Sequence, residues 1–138
     1  MPAEAKTKAT KVSVSAFLKK ATSGERLADS QALVKIMEKA TGVKAVMWGT
    51  AIVGFDTYGV VYADGHTEDW PIAAFSPRST AFVIYGLRAA PGFAALVKKL
   101  GKHKQAGGCT HIKSLADVDM KVLVELVMES VKARRNKA

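Results

Sequence analysis

Cys109 and His111 stand two apart in a stretch that reads as a strand, so both side chains project to one face, as a metal pair or a thiolate-imidazole dyad requires. His103 adds a third soft or borderline ligand shortly upstream. The surroundings work against both chemistries. From Trp70 to Ala116 the chain has no Asp or Glu, while Arg78, Arg88, Lys98, Lys99, Lys102, Lys104 and Lys113 would repel a cation. A nucleophilic Cys109 would also need an oxyanion site and an orienting acid, and this run has no carboxylate to give. Cys109 as a small buried hydrophobe is the stronger reading, with Cys109 and His111 as the weaker, metal-binding alternative.

The basic run suits an anion better. Arg78 follows Pro77 in the turn FSPRST, where its guanidinium can fold back on the chain or meet a ligand anion bidentately. Lys102, His103 and Lys104 precede Gly107-Gly108, whose backbone N–H groups can form an anion-binding nest. The expected site is therefore Arg78, Lys102, His103, Lys104, Gly107 and Gly108, and the expected ligand is a small anion. The spacing GxxxxGK[ST] does not occur, so nucleotide hydrolysis has no support. Asp64, His66, Glu68 and Asp69 share one hairpin loop and offer oxygen ligands, but such loops are ordinarily just solvated. With no catalytic motif, the chain reads as non-enzymatic and without a cofactor.

A length of 138 residues fits one domain large enough to bury a core without disulfides or metal. Hydrophobic residues make up 49% and charged residues 24%, which points to neither wholesale disorder nor a membrane protein. The N-terminus lacks the continuous apolar core of a secretory signal. A single Cys fits a reducing compartment, so the cytoplasm is expected. The net charge of +9 is placed mainly in the second half. It suits nucleic acid, an anionic ligand or simple solubility, and the basic surface can equally meet a protein partner. No aromatic residue is interleaved with the lysines, so nucleic acid would be bound only unspecifically.

These residues need elements to position them. Residues 1–12 mix Ala, Thr and Lys without apolar periodicity and read as a flexible basic tail. Ser13 to Ala21 reads as a short helix. A second helix follows, with Thr22 and Glu25 at capping-box spacing and Gly42 as its stop. From Val46 the apolar period changes to alternation, giving strands at about 50–55, 58–63, 69–75 and 80–86 joined as a meander. Asp64-Gly65 suits a hairpin turn, and Pro77 the second position of a turn from Ser76 to Ser79. Pro91 suits the first position of a brief helix ended by Gly101. Cys109 to Ile112 gives a fifth strand. Ser114 with Asp117 opens a last helix to about Arg134, with residues 135–138 as a tail. The expected fold is α+β, a five-strand antiparallel sheet covered by helices, in one domain over residues 13–134.

Three strings, MWGTAIVGFDTYG at 47–59, WPIAAFSPRST at 70–80 and LGKHKQAGGCTHIKSLADVD at 100–119, resemble the YdhG-like family, domains of unknown function, over roughly residues 13–133. That family often has a Lys before the glycine that precedes the cysteine, where this chain has Gly107. The resemblance implies a frataxin-like sheet with helices on one side. It also implies an iron-binding chaperone as an alternative function, since some members are treated as such. Frataxins hold iron through an acidic helix and strand edge, because iron ions favour carboxylate oxygens. Here the first helix has no acid, and Glu25, Asp29 and Glu38 in the second are offset by Arg26, Lys35 and Lys39.

Overall fold

The computed structural model describes residues 13–49, 52–61, 63–78, 80–106 and 109–137. The expected tail over residues 1–12 and the Gly107-Gly108 nest lie outside the described residues. Ser13 caps α1 (Val14–Ala21), its side chain accepting from the Ala16 N–H at 3.2 Å. The next helix, α2 (Gly24–Thr41), starts from Ser23, whose side chain makes no cap hydrogen bond. Thr22 does not form the expected capping box. Its hydroxyl donates instead to the Leu18 carbonyl at 2.7 Å and finishes α1, because the two helices abut so closely that the end of the first claims the residue. Gly42 does stop α2, adopting a left-handed φ of 74° that costs glycine little.

Among the described residues eight strands follow: β1 (Val46–Trp48), β2 (Ile52–Phe55), β3 (Tyr58–Val61), β4 (Thr67–Trp70), β5 (Ala73–Pro77), β6 (Phe82–Tyr85), β7 (Lys104–Ala106) and β8 (Cys109–Ile112). Six form one antiparallel sheet in the order β1-β2-β5-β6-β8-β7, and β3 pairs with β4 alone. The expected five-strand sheet, a four-strand meander plus the strand at Cys109 to Ile112, is corrected in two ways. First, β2 does not turn back onto β3 but pairs with β5. The chain bends at Asp56, φ 59°, and runs outward as a ribbon that turns at Asp64-Gly65 and returns. The expected strand at 69–75 breaks where Pro71, which has no N–H for a ladder, separates β4 from β5. Second, β1 and β7 are short edge strands, and β7 is exposed throughout, so no apolar alternation marks it. Pro77 ends β5 opposite Phe82, and the turn falls two residues later, where the Arg78 N–H donates to the Ala81 carbonyl at 2.9 Å.

The described helices also include α3 (Phe93–Val97) and α4 (Met120–Lys137). Pro91 precedes α3 within a turn, because Gly92 takes φ 76° between them. Ser114 opens only a 3-10 turn at Leu115–Asp117. The cap of α4 is Asp119, which accepts from the Lys121 N–H at 2.9 Å. Since α4 continues to Lys137, the expected frayed end at residues 135–138 is helical as far as it is described.

One face of the sheet carries the core. Val53, Phe75 and Ile84 lie side by side across β2, β5 and β6, with Phe55, Phe82 and Ile112 beside them, all fully buried. Leu33 and Met37 of α2 and Leu123, Leu126, Val127 and Val131 of α4 cover that face. Burying each such side chain contributes roughly 1.5–3 kcal/mol, which is what holds the helices on the sheet. Trp48, Ala74 and Val83 are buried on the opposite face, outside this cluster. Among the described residues no helix is long and apolar enough to cross a membrane.

Candidate functional site

The far edge of the sheet positions the basic residues. Val83, His111 and Lys104 are cross-strand partners on β6, β8 and β7, so their side chains share the face away from the helices. Lys113, two beyond His111, continues that alternation. The segment before β7 is fixed against the last 3-10 turn: the Lys102 N–H donates to the Asp117 carbonyl at 3.1 Å, and the Asp119 N–H to the Leu100 carbonyl at 2.7 Å. Gly101 makes this approach feasible. Its φ is 109°, and a Cβ there would sit 2.6 Å from the Asp117 carbonyl oxygen.

Between these elements lies a cavity of about 360 Å³ whose walls include Lys102, His103, Lys104, His111, Lys113 and Asp117. Three lysines and two histidines thus line a space with a single acidic residue, Asp117. The Nδ1–H of His103 donates to the Gly101 carbonyl at 2.8 Å, which orients the ring and leaves Nε2 for a ligand.

Arg78 is engaged by other partners. Its Nε donates to Ser76 Oγ at 3.0 Å and its Nη2 to Tyr85 Oη at 3.3 Å, which lays the side chain back over β5 and β6. Its carbonyl accepts a close hydrogen bond from Arg26, whose guanidinium stands 4.6 Å from the Phe82 ring centroid. Arg78 does not line the cavity, although the turn it begins adds Thr80 and Ala81 to the wall. Of the expected anion-site residues, Lys102, His103 and Lys104 line the cavity and Arg78 borders it with its side chain engaged by Ser76 and Tyr85.

Cys109 and His111 do share a face, yet they serve different surroundings. Cys109 is half-buried opposite Tyr85, and burial pushes its thiol pKa up, with the nearby Arg78 charge pulling the other way. His111 faces the cavity. Among the described residues no group of three or more His, Cys, Asp or Glu is placed to hold a metal ion. At the ribbon tip Asp64 pairs with His66, whose backbone and ring N–H groups lower the Asp64 carboxyl pKa. Trp48 is buried, and Tyr85 receives the Arg78 hydrogen bond.

The sequence alone does not bring His111, Lys113 and Asp117 together with Lys102 to Lys104 in one cavity. The alternation of Cys109, His111 and Lys113 was the available signal for two of them. Asp117 reaches the cavity only through the pairing of 100–102 with 117–119, for which the sequence has no local mark. No protein-family model, curated protein or solved structure matches the chain.

Proposed function

We propose that the protein is a non-enzymatic domain that binds a small anionic ligand in the cavity formed by Lys102, His103, Lys104, His111 and Lys113. The observation that supports this is the concentration of five nitrogen-bearing side chains around a single carboxylate in a ligand-sized space. Charge-assisted hydrogen bonds contribute about 1.5–3 kcal/mol each, so two or three of them suffice for a small oxyanion. Calorimetric titration with inorganic phosphate tests the reading. A saturable isotherm that weakens in Lys104→Ala supports it, and the absence of any binding at low salt removes it.

We place the chain in the YdhG-like family, with a frataxin-like arrangement of its helices and sheet and a cytoplasmic location, as part of the same proposal. The three family-like strings and the one-sided core support that placement. An iron-binding chaperone is the alternative the resemblance carries. Its expected carboxylates are in part already engaged, since Asp29 accepts from the Leu115 N–H at 3.1 Å. Anaerobic Fe(II) titration decides between the two: a clean isotherm in the micromolar range or below restores the chaperone. Unspecific nucleic-acid binding along a basic stripe from Lys98 to Arg135 loses part of its basis, because Arg135 is bonded to Asp56 at 2.9 Å.

A further inference from the structure

Two residues of the cavity wall have side chains that can accept a hydrogen from a ligand. One is Asp117. Its backbone is tied to Lys102 and Ser114, and no side-chain hydrogen bond or ion pair engages the carboxylate among the described residues. The other is His103. Because Nδ1 gives its hydrogen to Gly101, a neutral His103 presents a lone pair at Nε2, and only a protonated ring can donate there. The remaining charged and titratable groups facing the space are Lys102 and Lys104 beside His103, His111 on β8 and Lys113 just after it. A fully ionised oxyanion satisfies the ammonium groups but has no hydrogen to give to either acceptor, and it is repelled by Asp117. Hydrogen phosphate satisfies both demands, since its ionised oxygens accept from the lysines while its P–OH donates to Asp117 or to His103 Nε2.

We infer that the cavity selects an oxyanion that carries its own proton, hydrogen phosphate, over a fully ionised one such as sulfate. This rests on the anion reading of the cavity given above. A phosphate monoester distinguishes a free phosphate from a phosphoryl group on a larger molecule. Its second ionisation falls near pH 6, so at about pH 8 it has no P–OH and is expected to behave like sulfate.

The test is calorimetric titration of the full chain with inorganic phosphate, sulfate and phenyl phosphate at about pH 5.5 and about pH 8. At the higher pH inorganic phosphate is expected to bind at least about tenfold more tightly than the other two, the loss of one charge-assisted hydrogen bond, and the gap to phenyl phosphate narrows at the lower pH, where the monoester regains a P–OH. Asp117→Asn, whose amide can donate, is expected to raise sulfate affinity at pH 8. Should that variant lose its fold by thermal melt, His103→Gln and the parent pH series decide. Equal affinities for all three anions at both pH values, with Lys104→Ala weakening each, overturn the inference and leave an unselective anion site. Tight binding of phenyl phosphate at pH 8 overturns it too. Absence of binding by any anion removes the cavity reading itself.

Discussion

Arg135, near the end of α4, bonds Asp56 at 2.9 Å and so ties the last helix to the bend at which β2 leaves the sheet. Asp56 is the one described non-glycine residue with positive φ, 59°, and Arg135 also donates to the Thr41 carbonyl where α2 ends. One guanidinium therefore joins two helix ends to a bend with unfavourable backbone geometry. The Arg135 hydrogen bond holds the Asp56 carboxyl below its usual pKa, against the burial that raises it. A carboxylate depressed in the folded state contributes stability that is present above its unfolded value, near 3.9, and is lost as pH falls through the folded value. Both side chains are partly exposed, so Arg135→Ala is expected to cost only about 0.5–1 kcal/mol at neutral pH. Thermal melts should show that difference shrinking below about pH 4. A constant difference across that range would mean that the Thr41 contact alone matters.

Gly54 has no room for a side chain. A Cβ there would meet the Trp48 ring, with Nε1 at 2.7 Å, and Pro71 Cβ at 2.9 Å. Trp48 is buried, and its ring and Pro71 both close over Gly54. Gly54→Ala is expected to destabilise by about 1–3 kcal/mol, as overpacking does. Chemical denaturation with tryptophan fluorescence measures this. An unchanged midpoint would show that Trp48 can move away freely.

The sequence revealed the elements that bury apolar stripes and concealed those that do not. α2 and α4 were legible because Leu33, Met37, Leu123, Leu126 and Val127 recur at helical spacing and are buried. β7 was concealed because Lys104, Gln105 and Ala106 are all exposed and pair only with β8. The partner of β2 was concealed for a different reason. A two-residue bend at Asp56 looks the same in sequence whether the chain folds back or continues outward, and the choice is made by β5, some twenty residues away, and by Arg135. The candidate site was half legible. Lys102 to Lys104 are local, whereas Asp117 arrives by tertiary pairing and Arg78 is drawn off by Ser76 and Tyr85.

Cys109 is expected to be a poor nucleophile. Its thiol is half-buried, and burial pushes the pKa above the ordinary value while the Arg78 charge opposes this only in part. Since the thiolate is the reactive species, alkylation by iodoacetamide at neutral pH should run several-fold slower than for free cysteine. Mass spectrometry over time follows the reaction. A rate equal to or above that of free cysteine would reopen the thiolate-imidazole reading with His111.

The engagement of Arg78 at the border of the lysine cavity makes the sharpest prediction. Lys104 and Lys102 face the space directly, whereas Arg78 spends its Nε and Nη2 on Ser76 and Tyr85. Lys104→Ala should therefore weaken phosphate binding at least about tenfold, the worth of one charge-assisted hydrogen bond. Arg78→Ala should weaken phosphate binding less than Lys104→Ala does, since its Nε and Nη2 are already engaged by Ser76 and Tyr85. Most of the cost of Arg78→Ala should appear in stability, about 1–3 kcal/mol for two hydrogen bonds and the support of its turn. Affinity by calorimetry and stability by denaturation, measured on the same two variants and their double, separate the roles, and side chains that share no partner should show additive effects. If Arg78→Ala weakens phosphate as much as Lys104→Ala does, or if the double variant is strongly non-additive, Arg78 belongs to the binding site and must turn toward the cavity when the anion arrives.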